Sequence, residues 1–104
     1  MKQIKSITRI SSETWLKHRG LSFENDLFMV EIDCSYNKGF LSFSHELSLI
    51  FYLDNGKLNF IEGSEISLGD HTYFQNDWPY LKEKFLLSDG EIIEEIKKAE
   101  FESK

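Results

Sequence analysis

The sequence predicts an α+β domain, in which an antiparallel sheet carries an N-terminal helix and two C-terminal helices on one of its faces. Two observations predict this fold. Apolar and polar residues alternate from residue 41 to 53 and lead into an Asn-Gly pair, which is typical of a β-hairpin. Helix-capping signals lie on both sides of this stretch, near residues 11 and 88. An antiparallel sheet with one apolar face needs a cover, and we expect the helices to supply it.

The N-terminal third is predicted to form a strand, a helix and a second strand. Residues 3–10 are rich in β-branched side chains, which favour a short strand. A helix is predicted at residues 12–19, because Ser11 suits its N-cap and Gly20 its C-terminal end. Residues 27–34 alternate and predict a strand. Its apolar face comprises Phe28, Val30, Ile32 and Cys34.

The central hairpin is the clearest element. Asn55-Gly56 favours a two-residue type I′ turn, whose geometry sets the register of the two strands. The cross-strand pairs that follow are Leu53 with Leu58 and Phe51 with Phe60. The alternating run before the turn is long for one strand, so we expect a bend or break between Ser44 and Glu46. Residues 64–68 and 71–75 are predicted to form two further short strands or one irregular edge strand.

Two helices are predicted at the end of the chain. Asp77 can cap the first helix, which begins at Trp78. Ser88 and Glu91 form a capping box for the second, which spans residues 90–101. The side chains expected to face the core are Leu81, Phe85, Leu86, Ile92, Ile93, Ile96 and Ala99.

Length and composition predict a single domain over residues 1–104, in the cytoplasm of a bacterial cell. A 104-residue chain with 40% hydrophobic residues is large enough for one core. The longest apolar run, at residues 49–53, is too short for a membrane helix, and no signal peptide is expected. The chain has one cysteine, so no internal disulfide is expected.

Charge is unevenly distributed along this chain, whose net charge is −6. Residues 1–20 carry +4, residues 21–80 carry −8 and residues 81–104 carry −2. The acidic middle segment repels nucleic acid and attracts a basic protein. We therefore expect a basic protein as partner and no nucleic acid. Negative charge also keeps proteins soluble without any such partner.

No catalytic motif is found, so we expect no enzyme, no cofactor and no bound metal. His18, His45 and His71 lack the spacing of metal ligands. We expect His45, on the apolar strand face, to be a hydrogen-bonded core histidine. Tertiary contact of His45 and His71 with Glu31 or Asp33 would instead permit acid–base catalysis by a small hydrolase.

Acids and aromatic rings alternate between residues 62 and 80. The candidate partner-binding residues are Glu62, Glu65, Asp70, Tyr73, Asp77, Trp78 and Tyr80. Tyrosine beside acids is frequent at interfaces, where the ring supplies contact area and the hydroxyl stays hydrated. A structural role in the core is the alternative, and it is favoured for Trp78.

In size, acidity and layout, the whole chain resembles the immunity proteins of bacterial contact-dependent growth inhibition and other polymorphic toxin systems. This resemblance implies binding to a cognate toxin domain, often a basic RNase or DNase, whose active site is covered and neutralised. Two alternatives stay open. One is the hydrolase that uses His45 and His71. The other is a non-catalytic adaptor or subunit that uses the polar sheet face. That face is predicted to carry Glu31, Asp33, Ser42, Ser44, Glu46, Ser48 and Asn59. The oligomeric state is not predicted.

Overall fold

The computed structural model describes residues 3–10 and 26–102 of the chain. The strands in these ranges are β1 (Gln3–Ile10), β2 (Leu27–Asp33), β3 (Tyr36–Lys38), β4 (Leu41–Phe43), β5 (His45–Asp54), β6 (Lys57–Ser67) and β7 (Asp70–Gln75). The helices are α1 (Trp78–Phe85) and α2 (Asp89–Glu102). The helix predicted at residues 12–19 lies outside the described residues.

Five strands form one antiparallel sheet in the order β1-β2-β5-β6-β7. The other two, β3 and β4, pair with each other in a separate hairpin, which is inserted between β2 and β5. The chain leaves and re-enters the sheet at one place, because the amide of Cys34 donates to the carbonyl of His45 at 2.8 Å. Each strand therefore lies beside its neighbour in sequence, apart from this insertion.

Both helices pack on the same face of the five-stranded sheet. The strands contribute Phe28, Val30, Ile32, Leu47, Leu49, Phe51, Leu58 and Phe74 to the buried core. The helices contribute Trp78, Leu81, Ile92 and Ile96, and the loop between them contributes Leu87. Burying a side chain of this size stabilises the fold by about 1.5–3 kcal/mol. The helices thus hold the sheet together by covering its apolar face.

The predicted balance of helix and strand is wrong. The prediction placed three helices on the sheet, whereas the described residues form mostly strand, with two helices. One reason is that β6 runs continuously for eleven residues where two shorter strands were predicted. Another is the β3–β4 hairpin, which turns at Gly39 with φ of +65° and takes the first three residues of the alternating run as its second strand.

The predicted register of the central hairpin is confirmed. Leu53 pairs with Leu58 and Phe51 pairs with Phe60. Asn55 and Gly56 have φ of 53° and 79°, the positive values that a type I′ turn requires. The predicted break is also confirmed, because Ser44 separates β4 from β5.

A bulge in β6 reverses the alternation beyond this hairpin. Ile50 pairs with Glu62 and Phe51 pairs with Phe60, so Ile61 has no partner across the ladder. Such an extra residue moves the following side chains to the opposite faces of the sheet. Glu65 consequently points to the core.

The end of α1 differs from the prediction. Leu86 was expected to face the core, but it is exposed and adopts the left-handed conformation, with φ 55° and ψ 45°. The amide of Leu87 donates to the carbonyl of Lys82 at 3.0 Å, which closes a Schellman motif. The chain reverses at Leu86, so Leu87 takes the buried position instead.

The start of α2 follows the predicted capping box. The amide of Glu91 donates to the hydroxyl of Ser88 at 3.2 Å. Neither of the helices in the described ranges has the length and apolar character needed to cross a membrane.

Candidate docking surface

The sheet face opposite the helices is polar and acidic, and we call it the open face. Strand register assigns to it Met29, Glu31, Asp33, Glu46, Ser48, Ile50, Tyr52, Glu62, Ser64, Ile66, His71 and Tyr73. Each of these side chains is half-buried or exposed, whereas Leu27, which the same register places on this face beside Tyr52, is fully buried. The buried residues of both described helices belong to the core on the other side. The open face therefore presents carboxylates, hydroxyls and a few large apolar groups together.

Four carboxylates give the open face its charge: Glu31, Asp33, Glu46 and Glu62. Asp33 and Glu46 are directly opposite each other on β2 and β5. Like charges in this arrangement destabilise a sheet. Lys5, at the bulge of β1, offsets part of the repulsion, since its Nζ lies 3.3 Å from Oε1 of Glu46. The face remains negatively charged and suits a cationic partner.

Asp33 is held in its charged form by the loop that follows β2. The side chain of Ser35 and its backbone amide, which donates to Oδ1 at 2.9 Å, lower the pKa of Asp33. Burial raises this pKa by less than the two hydrogen bonds lower it, and the charge of Lys5 adds a smaller lowering. This carboxylate is therefore ionised at neutral pH.

The exposed candidates from residues 62–80 do not form one patch. Glu62 and Tyr73 lie on the open face, on the neighbouring strands β6 and β7. Asp70 is exposed where β7 begins, whereas Asp77 precedes α1. Tyr80 belongs to α1, on the helix side of the sheet, with its ring centroid 6.3 Å from that of Phe74. The sheet thus separates Glu62 and Tyr73 from Asp77 and Tyr80.

Glu65, another candidate, is buried and 5% exposed. Its Oε1 lies 2.8 Å from Nδ1 of His45, and its Oε2 lies 3.6 Å from Nζ of Lys84. A buried carboxylate needs such partners, because its desolvation is otherwise costly. In this conformation Glu65 serves the fold. The hydrogen bond predicted for His45 is confirmed, and its ring is half-buried on the helix side of the sheet.

Trp78, the last candidate, is also buried, and it joins three elements. Its ring lies 5.0 Å from that of Phe51 and 5.9 Å from that of Phe60, measured between centroids. Its Nε1 donates to Oδ1 of Asp89 at 2.7 Å, at the start of α2. Lys82 also reaches Asp89, at 3.3 Å. Trp78 is therefore part of the core, which was the role that the sequence favoured for it over partner binding.

His45 and His71 do not share a site. His45 pairs with Ser67, and its side chain lies on the helix side. His71 pairs with Ile66 on the open face, where its ring lies 4.4 Å from that of Tyr73. Because the sheet separates the two imidazoles, the acid–base pair considered for a hydrolase is not assembled.

A groove of about 270 Å³ lies between β1 and α2. Its lining comprises Ile4, Lys5, Ser6, Ile7, Glu95, Lys98 and Ala99. Lysine, glutamate and aliphatic groups alternate there, an ordinary composition for a helix–strand junction. Within residues 3–10 and 26–102, no three His, Cys, Asp or Glu side chains are grouped so that they could hold a metal ion.

No known protein family, curated protein or solved structure matches this chain. The open face is a carboxylate-rich surface carried by the strands of the sheet.

Three acids of the open face were not among the candidate partner-binding residues. Glu31, Asp33 and Glu46 were assigned to a polar sheet face, but the candidates were chosen from the later acidic and aromatic segment. The signal that identifies them is the alternation of apolar and polar residues along β2 and β5. It places all three on the face opposite Val30 and Leu47.

Proposed function

We propose that the protein is an immunity protein, which binds and neutralises a basic toxin domain through the open face. The observation that supports this proposal is the open face itself, where four carboxylates lie beside Tyr73, Ile50 and Ile66 on a five-stranded sheet. Carboxylates steer a cationic partner into place, and large side chains supply contact energy. Because strands hold these groups, little conformational freedom is lost on binding.

A nuclease is the toxin class that this surface suits best. The substrate groove of a nuclease carries lysine and arginine side chains for phosphates, and carboxylates bind the same side chains. The open face would cover that groove and exclude nucleic acid. In this proposal the protein acts in the cytoplasm, where a nuclease toxin meets its substrate.

Capture of the toxin domain encoded by the adjacent reading frame tests the proposal. The variant Glu31→Lys/Glu62→Lys reverses two charges on the open face, and we expect binding at low salt to fall by at least about tenfold. The variant Asp54→Lys/Glu94→Lys makes the same change in net charge at the Asn55-Gly56 turn and on α2, and we expect a smaller loss. Circular dichroism verifies that both variants are folded.

Two outcomes would count against this proposal. Equal losses in both variants would mean that overall charge, and not the open face, drives the association. Unchanged binding by Glu31→Lys/Glu62→Lys would remove the open face from the interface.

A non-catalytic subunit of a larger complex is the second candidate. Exposed apolar side chains at one end of the sheet favour it, among them Phe40, Leu41 and Leu86. An obligate subunit would self-associate or aggregate when isolated, whereas an inhibitor would be monomeric. Light scattering of the purified protein separates the two.

A further inference from the structure

Five large apolar side chains are exposed at one end of the sheet, which we call the apolar end. They are Phe40, Leu41, Ile66, Leu68 and Leu86. The topology brings them together around the start of β5. The β3–β4 hairpin leaves the sheet between Asp33 and His45, and the β6–β7 turn follows Ser67, which pairs with His45. The last residue of α1, Phe85, has its ring 6.3 Å from that of His45.

Leu68 occupies a turn position that favours asparagine or glycine. Leu68 and Gly69 have φ of 51° and 86°, close to the 53° and 79° of Asn55 and Gly56 at the other end of β6. Both hairpins thus use two residues with positive φ, a geometry in which a leucine side chain is strained. Leu68 is also 69% exposed, so burial does not offset that strain.

Leu86, at the end of a helix, also combines a positive φ with an exposed side chain. It ends α1 with φ 55°, at the position of the Schellman motif where glycine is the usual residue. Its side chain is 79% exposed, while the neighbouring Leu87 supplies the buried contact. Two exposed leucines in the left-handed conformation therefore lie at the same end of the molecule. The hairpin turn and the Schellman motif require a left-handed residue at these two positions but not a leucine side chain, and residues held in such conformations concentrate at binding sites.

The apolar end is continuous with the open face. Ile66 belongs to both, since it pairs with Glu46 on one side and His71 on the other. A second copy of this chain would bring like-charged open faces together if it bound here by two-fold symmetry. A basic protein would instead neutralise Glu46, which pairs with Ile66, and Asp70, which follows Leu68 and Gly69. Charge complementarity thus selects a basic protein as the occupant.

We infer that Leu68 and Leu86 are the hydrophobic hot spot that retains the basic partner, by entering an apolar cleft beside its cationic groove. This inference rests on the proposed function and adds the apolar half of the interface. Carboxylates mainly raise the association rate, whereas buried apolar anchors slow dissociation. The leucines should therefore govern the lifetime of the complex.

Substitution by asparagine tests this inference, because asparagine tolerates positive φ. In the isolated protein, Leu68→Asn and Leu86→Asn should each raise the urea midpoint of unfolding. Surface plasmon resonance with the basic domain of the adjacent reading frame should show dissociation about 30-fold faster in each variant. Asn55→Leu is the matched control in the equivalent turn. It should lower the urea midpoint and leave the dissociation rate unchanged.

Each alternative outcome is informative. A lower urea midpoint in Leu68→Asn and Leu86→Asn would show that the leucines serve the fold, and would overturn the inference. The inference alone would be overturned if Glu31→Lys/Glu62→Lys weakened binding while Leu68→Asn and Leu86→Asn both dissociated at the wild-type rate. Absence of a wild-type complex, or a wild-type protein that self-associates until Leu68 and Leu86 are replaced, would overturn the proposed function and the inference together.

Discussion

Gly63 shows how a single residue permits the packing of this sheet. It lies on β6 between Leu49 of β5 and Phe74 of β7. A Cβ atom at this position would lie 2.5 Å from Cδ2 of Leu49 and 2.9 Å from the carbonyl oxygen of Ser48. Leu49 and the backbone of Ser48 occupy the space that a side chain would need, so only glycine fits at this position.

Replacing Gly63 by alanine should therefore destabilise the fold. We expect Gly63→Ala to lower the free energy of unfolding by about 1–3 kcal/mol, because the backbone oxygen of Ser48 cannot move away cheaply. Urea denaturation followed by circular dichroism measures this change. Gly90→Ala is the control, since no atom lies within 4 Å of its new Cβ and alanine favours the helix. A midpoint for Gly63→Ala at or above that of wild type would contradict the prediction.

Asp33 should make stability depend on pH in the acid range. Its pKa in the folded protein is lowered, so its stabilising effect is present above the ordinary carboxyl pKa of about 4 and is lost as pH falls through the folded value. Asp33→Ala should thus be less stable than wild type at pH 7, and the difference should shrink below about pH 4. Urea midpoints at several pH values measure it. Ser35→Ala should reduce the pH dependence without changing the charge, and a difference that stays constant with pH would refute this account.

The elements of this fold are joined by a few large contacts, and Trp78 is the main one. It connects α1 to the hairpin through Phe51 and Phe60, and to α2 through Asp89. Aromatic pairs at these separations add about 0.5–1.5 kcal/mol each beyond the area that they bury. The helices should therefore lose their attachment to the sheet before the hairpin itself opens.

Truncation of Trp78 tests this order. Trp78→Ala should lower the free energy of unfolding by about 3–5 kcal/mol, with amide hydrogen exchange accelerated more in α1 and α2 than in β5 and β6. Tyr80→Ala, on the same helix but half-exposed, should change stability by no more than about 0.5 kcal/mol. Equal acceleration of exchange in helices and central strands would show that the molecule opens as one unit.

At the scale of the whole molecule, the sheet separates an apolar core from an acidic surface. Asp33 faces Glu46 across two strands, a like-charge pair that a sheet selected only for stability would avoid. Lys5 and Ser35 offset the repulsion at this pair, while Glu31 and Glu62 add further negative charge to the same face. The charge pattern is therefore consistent with a binding function.

Removing carboxylates from the open face, or screening them with salt, should reveal the cost of their mutual repulsion in the free protein. Glu31→Gln/Glu62→Gln should raise the melting temperature at low salt, and added NaCl should reduce its advantage over wild type, because about 1 M salt shortens the screening length to about 3 Å. Glu83→Gln/Glu94→Gln makes the same change in net charge on the helices and should have a smaller effect. Equal effects of the two pairs would show that only the net charge matters.

Local chemistry explains what could be predicted. Asn55-Gly56 determined a turn, and the turn determined the pairing of Leu53 with Leu58. Asp77 and Ser88 located the starts of the two C-terminal helices to within about one residue. Ser88 makes the predicted capping hydrogen bond, whereas the side chain of Asp77 makes none. These signals act over a few residues, so they are visible without knowledge of the rest of the chain.

The sequence by itself thus determined the central hairpin, the helix starts and the acidity of the middle segment. Only the tertiary structure decided which acids reach the surface. From the hairpin onward, period-two alternation would put Glu62 and Ile66 in the core and Glu65 outside. The bulge at Ile61 reverses that order, because Gly63 can then fit beneath Leu49 while Glu65 meets His45 and Lys84. The position of the bulge depends on packing between segments that are distant in the sequence, so no local sequence pattern predicts it.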